Sequence, residues 1–248
     1  MKGLLIGILY VLTLILPPEE QSLISAGDTE FLSINYDAAI SFYHSALALQ
    51  PGNADIHWRL ARVLVAAGEV APRDQREEIY REAESYARHC VEIDASKAEG
   101  HTWLAAALGN RALFVGGKTK IQLANEIKKE LDRALAIRSD DDATWSILGS
   151  YYFTVGSVTW LERQMASIFL GSIPEGGFED SEAAFLRAIE LSPGTPRHRF
   201  ELGKLYLDWG REEDGRRMLE SALSLPITAA GDTAARRVTR EILDNKND

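Results

Sequence analysis

The segment from residue 142 to residue 193 constrains the fold of this chain more than any other part of the sequence. Its first half carries four residues at the spacing i, i+3, i+4 and i+7: Trp145, Leu148, Gly149 and Tyr152. This spacing places the four side chains on one face of an α-helix. Its second half contains two small residues, an aromatic residue and a proline: Ser181, Ala188, Phe185 and Pro193. The segment therefore predicts two packed helices, with Phe185 filling the space that Gly149 leaves free between them.

This layout is the one that defines the tetratricopeptide repeat, a helical hairpin of about 34 residues. Weaker copies precede and follow the segment, and we predict about five repeats, at residues 20–53, 54–97, 98–141, 142–195 and 196–229. The remainder, 229–248, has one apolar face and is predicted to be the capping helix that a helical stack needs for solubility. The predicted fold is therefore all-α: a solenoid of tetratricopeptide helical hairpins over residues 19–228, with inserted helices and a C-terminal capping helix.

Three of the predicted repeats are longer than the template. About ten extra residues lie between the two helices of the second and third repeats, near Gly68–Asp74 and Asn110–Thr119. About 20 more follow Tyr152 in the fourth repeat. This last insertion has one apolar helical face, formed by Trp160, Leu161, Met165, Ile168 and Phe169. It either covers the repeat stack or lines a binding groove, and in the second case Trp160, Met165 and Phe169 face a partner.

The charge of the chain argues against some partners. Lysine and arginine number 27 against 37 acidic residues, which gives a formal net charge of −10. Such a chain repels nucleic acid, so no nucleic-acid partner is predicted. The single cysteine, Cys90, excludes an intrachain disulfide and a zinc site of cysteine type. Because Cys90 occupies a small-residue packing position, we interpret it as a buried core thiol.

Residues 1–18 are predicted to be a signal peptide or an N-terminal membrane anchor. The apolar run Leu4–Leu16 follows Lys2 and precedes two prolines and two acids. It is short for a membrane span but suits the core of a signal peptide. We therefore expect export to a periplasmic or extracytoplasmic location, with residues 4–16 as the means of any membrane association. The alternative is an apolar helix that caps the domain.

One segment is similar in sequence to a phosphate-binding loop of nucleotide-binding proteins. Residues 112–119, Ala-Leu-Phe-Val-Gly-Gly-Lys-Thr, differ from the Walker A pattern only in the first glycine. A phosphate-binding loop must follow a β-strand, whereas the upstream residues here belong to a predicted helix. We interpret the segment as a Gly-Gly break between two helices that leaves Lys118 and Lys120 exposed as candidate partner-facing residues.

The histidines do not predict catalysis or metal binding. His57 and His101 occupy the same position of successive repeats, which could align them on one partner-facing surface. The sequence has no H-E-x-x-H spacing, no G-x-S-x-G and no framed pair of carboxylates. No catalytic residue, cofactor or metal ligand is predicted, and the chain is not expected to be an enzyme.

Several local stretches add a family resemblance. They are Gly116–Lys120, Glu126–Leu135, Trp145–Gly149, Trp160–Arg163 and Phe169–Pro174. In combination they resemble the regulator of microtubule dynamics family of tetratricopeptide proteins, and the layout is also similar to the T component of TRAP-type transport systems. The resemblance implies a compact helical solenoid that recruits another macromolecule, with eukaryotic members linked to microtubules.

The functional hypothesis is a non-catalytic scaffold or adaptor that binds a peptide or protein on its concave face. The alternative is a small-molecule or lipid-binding accessory protein of a transport system, with the insertion as a pocket wall. A role at microtubules, implied by the resemblance, is third. A closed apolar cavity beside the insertion would favour the ligand hypothesis, and an open polar groove would favour the peptide hypothesis.

Overall fold

The computed structural model describes residues 19–159, 163–164, 172 and 174–244. In these ranges the chain forms eleven α-helices and no β-strand. The helices are α1 Glu19–Leu32, α2 Tyr36–Leu49, α3 Ala54–Val70, α4 Arg73–Ile93, α5 Ala98–Arg111, α6 Gly117–Ile137, α7 Asp142–Gly156, α8 Phe178–Leu191, α9 Pro196–Asp208, α10 Glu212–Ser224 and α11 Gly231–Asp244. The all-α prediction is confirmed.

Consecutive helices pack as five hairpins, α1 with α2, α3 with α4, α5 with α6, α7 with α8 and α9 with α10. From the second hairpin onward, the first helix of each also contacts the hairpin before it, so the units stack in chain order. Helix α11 follows the last hairpin and packs on α9 and α10. The arrangement is a helical-hairpin solenoid in which each unit buries its apolar face against its neighbours.

The hairpins close around small residues that face large ones. A Cβ added at Gly149 would lie 2.7 Å from the ring of Phe185, which is fully buried. The same relation joins Gly203 to Leu219, at 2.8 Å, and Gly27 to Tyr43, at 2.5 Å. Any larger residue at these glycines would push the two helices apart. The contact predicted between Gly149 and Phe185 is therefore confirmed.

The extra residues of the second and third hairpins lengthen helices rather than loops. Helices α4 and α6 each have 21 residues, and α3 has 17. Only Ala71 and Pro72 connect α3 to α4, which corrects the expectation of an insertion between these helices. The first turns of α6 bury Leu123 in the core, whereas the first six residues of α4, residues 73–78, are all polar.

The two ends of the solenoid meet. The guanidinium of Arg197, on α9, pairs with the carboxylate of Glu69, on α3. The backbone N–H of Ala230 donates to the hydroxyl of Tyr36, on α2, at 3.1 Å. Helix α11 also packs on α3. These contacts join residues more than a hundred positions apart and close the stack into a ring.

Two predicted segments lie outside the described residues: the apolar run of residues 4–16, and most of the insertion, including Trp160, Met165 and Phe169. Among the helices that the structure describes, none is long and apolar enough to cross a membrane.

Candidate functional site

The closed solenoid surrounds a groove of about 1320 Å³. All five hairpins contribute to its lining, from Phe31 on α1 to Glu201 on α9, and Asp232 of α11 lines it at the closure. The inner helices α3, α5, α7 and α9 supply most of the surface. The groove is therefore a property of the whole stack and not of one repeat.

One wall of the groove is apolar. Helices α5 and α6 present Trp103, Ala106, Ile121 and Ala124 to it. Ala106 is almost fully buried, and Trp103 is half-buried against the core. Leu113, in the short turn after α5, lines the mouth and is 71% exposed. A large exposed leucine beside a groove offers apolar surface to a partner.

The neighbouring helix α7, which packs on α5 and α6, carries a row of hydroxyl groups along the groove. Ser146, Ser150 and Thr154 are spaced at i, i+4 and i+8, so they share one helical face, and all three line the groove. The hydroxyl of Ser150 donates to the carbonyl of Ser146 at 3.1 Å, and that of Thr154 donates to the carbonyl of Ser150 at 2.9 Å. The oxygen lone pairs remain to accept hydrogen bonds from a bound molecule.

Charged groups cluster where α7, α9 and α11 meet. Nε2 of His198 donates to Oδ2 of Asp142 at 2.9 Å, and this hydrogen bond lowers the pKa of Asp142. Glu201 accepts from Nζ of Lys204 at 2.9 Å. The carboxylate of Asp232, which is buried, accepts from the backbone N–H groups that precede α11. This end of the groove is therefore fixed by hydrogen bonds before any partner binds.

Three buried polar atoms among the lining residues have no hydrogen-bond partner in the described part of the chain. They are the hydroxyl of Tyr151, Nδ1 of His198 and Nε of Arg62. Tyr151 is 7% exposed and His198 is 3% exposed. Each of these atoms is fully buried, so its missing hydrogen bond lowers the stability of the folded state and is not a contact that a molecule in the groove can supply.

The structure separates the two predicted lysines. Lys120 lines the groove, whereas Lys118, two positions earlier, is exposed and lies outside the lining. Helix α5 and a short 3-10 turn precede Gly116, which is the N-cap of α6. The interpretation of residues 112–119 as a break between helices, rather than a phosphate loop, is consistent with this geometry.

His57 and His101 have structural roles. Both rings are buried, and neither belongs to the described lining of the groove. Nε2 of His57 lies 2.9 Å from the carbonyl of Pro51, and Nε2 of His101 lies 3.0 Å from that of Ala95. The indole N–H of Trp145 donates to Ser139 in the same way, at 2.9 Å. In each case the ring binds the carbonyl six positions earlier and fixes the loop that enters the hairpin.

Sequence reasoning did not identify the polar wall of the groove. The residues it missed are Asp142, Ser146, Ser150, His198 and Glu201. The spacing of the hydroxyl residues on α7 was a usable signal, because it places polar groups on one face of a helix that is otherwise apolar. The pairing of Asp142 with His198 had no signal, since the two residues are 56 positions apart.

The arrangement of hairpins defines a helical-repeat fold of the tetratricopeptide class. A solved structure of this class, the thermophilic TPR protein TTC0263 of Thermus thermophilus, superposes with a TM-score of 0.67 and 20% identity. The match covers 90% of this chain and 98% of that one. It shows the fold.

A sequence profile described as regulator of microtubule dynamics protein 1-3 matches residues 23–247. The chain therefore belongs to the regulator of microtubule dynamics family, which confirms the resemblance. It is 26% identical over 188 residues to regulator of microtubule dynamics protein 2 of Rattus norvegicus, covering 75% of this chain and 46% of the relative. It is 27% identical over 190 residues to protein 3 of Bos taurus, covering 76% and 40%. The chain thus spans less than half of these relatives.

Proposed function

We propose that this protein is a non-catalytic scaffold that binds a segment of a partner polypeptide in the groove. The observation that carries the proposal is the continuity of the lining, to which every hairpin contributes. A ring of stacked helices holds such a surface rigid, so little ordering is needed when a partner binds. The fold and the family both point to protein interaction rather than to enzyme chemistry.

The size of the groove favours a polypeptide over a small molecule. Small-molecule pockets enclose about 300 to 1000 Å³. The groove here reaches about 1320 Å³. The small-molecule alternative expected a closed apolar cavity beside the insertion after Tyr152, most of which lies outside the described residues. The groove instead runs through all five hairpins and has one polar wall.

Gly109 provides the test. It lines the groove on α5, and a Cβ at this position would meet nothing within 4 Å. Gly109→Tyr should therefore fill the groove without disturbing the helices. Gly52, in the loop before α3, is equally unobstructed and lies outside the lining, so Gly52→Tyr is the matched control.

A phage-displayed peptide library is selected on the purified full chain and rescreened against both variants. Selected peptides should lose binding to Gly109→Tyr and keep binding to Gly52→Tyr. Peptides that bind all three proteins equally would place the interaction elsewhere and refute the groove as the site.

A second candidate function follows from the family. The curated relatives are named as regulators of microtubule dynamics, and the same role is a candidate here. The net charge of −10 opposes direct binding to the acidic tails of tubulin. Co-sedimentation of the full chain with polymerised tubulin tests the candidate: retention in the pellet at physiological salt supports it, and absence from the pellet contradicts direct binding.

The cellular location is part of the proposal. The run of residues 4–16 supports export to a periplasmic or extracytoplasmic location, with or without tethering to the membrane. Fractionation of the native host checks this. A cytoplasmic product that retains Met1 would contradict it.

A further inference from the structure

The polar wall of the groove accepts hydrogen bonds more readily than it donates them. The hydroxyl protons of Ser150 and Thr154 are used within α7, which leaves their lone pairs directed to the groove. A molecule that presents N–H groups would satisfy this wall.

The same wall has an excess of negative charge. The lining residues described on α7, α9 and α11 include three carboxylates, Asp142, Glu201 and Asp232, and one guanidinium, Arg197. Arg197 pairs with Glu69, which also lines the groove, and lies 3.9 Å from Glu201, which pairs with Lys204. These four carboxylates outnumber the two cations, Arg197 and Lys204. An additional cation would therefore be attracted to this end of the groove, where the surrounding protein screens charges less than water does.

The apolar wall on α5 and α6 offers no comparable charge in the part of the chain that the structure describes. Trp103, Ala106, Ile121 and Ala124 form its apolar surface, and Lys120 stands at the edge of α6. Contact with this surface would bury apolar side chains, which contributes about 25 cal/mol for each Å² removed from water. Because the two surfaces adjoin, a molecule that contacts both needs one apolar side and one donor-rich side.

Resting on the function proposed above, we propose that the partner segment is amphipathic and basic. Its apolar side chains lie against Trp103 and Ile121, and at least one lysine or arginine approaches Asp142 and Glu201. An acidic segment would place its carboxylates beside Asp142 and Glu201 and would be repelled.

Three fluorescein-labelled peptides of about 15 residues, or about four helical turns, serve as probes. They share one leucine face and carry lysine, glutamine or glutamate on the polar face. Fluorescence anisotropy with the full chain gives the three values of Kd. The lysine peptide should bind about ten-fold or more tightly than the glutamate peptide, a difference of about 1.4 kcal/mol.

The double variant Asp142→Asn, Glu201→Gln tests whether these two carboxylates cause the preference for the lysine peptide. Both replacements keep an oxygen that accepts the bonds of His198 and Lys204. Binding of the lysine peptide should weaken about five-fold or more, while that of the glutamine peptide should stay unchanged. Glu82→Gln with Glu220→Gln removes two exposed carboxylates outside the lining and is the charge-matched control, expected to change neither Kd.

The outcomes distinguish this inference from the function on which it rests. If the glutamate or glutamine peptide binds as tightly as the lysine peptide, and Gly109→Tyr abolishes that binding, the groove remains a peptide site and its basic preference is refuted. If Gly109→Tyr changes no Kd, the groove itself is refuted. Equal losses in the double variant and in its control would show only general attraction to an acidic protein, which also overturns the basic preference.

Discussion

At the scale of residues, the fold depends on the positions of glycines, which have no side chain. Gly149 lies against the ring of Phe185, and Gly109 faces open space in the groove. Both occupy α-helices, where glycine is intrinsically unfavourable by about 1 kcal/mol relative to alanine. Close packing against Phe185 explains the glycine at position 149. Gly109 has no such neighbour, and its missing side chain leaves space in the groove for a partner.

Replacing these two glycines by alanine should have opposite effects on stability. Gly149→Ala places a methyl group 2.7 Å from Phe185, and we expect a loss of about 1 to 3 kcal/mol. Gly109→Ala meets nothing within 4 Å and should gain up to about 1 kcal/mol of helix propensity. Urea unfolding followed by circular dichroism measures both. A neutral Gly149→Ala would contradict the packing argument.

The buried pair of His101 and Glu130 predicts a pH dependence. Nδ1 of His101 lies 2.5 Å from the Glu130 carboxylate. This hydrogen bond raises the pKa of His101 above its ordinary value of 6.5 and lowers the pKa of Glu130 below 4.5. The histidine contributes stability that is complete below pH 6.5 and is lost as pH rises through its folded pKa. The glutamate contributes stability that is complete above pH 4.5 and is lost as pH falls through its folded pKa.

The destabilisation caused by Glu130→Gln should therefore be greatest between pH 4.5 and pH 6.5. We expect the loss at about pH 5.5 to exceed that at about pH 8.5 by about 1 kcal/mol, as measured by urea unfolding. Glu82→Gln, at an exposed site on α4, is the control and should show no such dependence. An equal loss from Glu130→Gln at both pH values would contradict a folded state in which both members of the pair are ionised.

At the scale of elements, helix α11 is anchored through its first turn. Asp232 is 2% exposed, and its carboxylate accepts from the backbone N–H groups of Thr228 and Ala229 at 2.8 and 2.9 Å. The hydroxyl of Thr228 adds a third hydrogen bond, at 3.1 Å. Hydrogen bonds to a charged group contribute about 1.5 to 3 kcal/mol. The conformation of the backbone just before α11 therefore depends on the carboxylate of Asp232.

Asp232→Ala should loosen α11 while the preceding hairpins stay folded. Hydrogen exchange of the amides of residues 231–244 should become about ten-fold faster or more, corresponding to about 1.4 kcal/mol of local stability. Thr233→Ala alters the next position, which is exposed, and should leave the exchange unchanged. Uniform acceleration along the whole chain would contradict a local anchor.

At the scale of the whole molecule, the ring depends on contacts between distant parts of the chain. Tyr36 and Ala230 are 194 positions apart, and Glu69 and Arg197 are 128 apart. An open solenoid lacks such contacts, because each repeat touches only its neighbours. Closure makes the width of the groove depend on the first and last hairpins together.

Removing the closing contacts should widen the distribution of distances across the closure. Spin labels on cysteines introduced at the exposed positions Ser33 and Thr233 report this distance by electron paramagnetic resonance. Cys90 should not react, because burial raises its pKa to about 12. Tyr36→Phe combined with Glu69→Ala should broaden the distribution toward longer distances.

Tyr206→Phe provides the control for this experiment. Tyr206 is buried on α9, and its hydroxyl donates to Glu182, on α8, at 2.6 Å, so its hydrogen bond lies between neighbouring helices. The loss of this hydroxyl should leave the distance distribution unchanged. A narrow, unaltered distribution in the Tyr36→Phe, Glu69→Ala variant would show that other contacts hold the ring.

The sequence by itself determined the hairpins, because their signals are local. The spacing of Trp145, Leu148 and Gly149 defines a helical face, and the complementary Phe185 lies within the same repeat. Only the tertiary structure decided the closed ring, the paired Asp142 and His198, and the polar wall of the groove. Small rotations between successive hairpins add along the stack, and no single repeat encodes their sum. Side chains that are far apart in the chain therefore meet at positions that local periodicity does not specify.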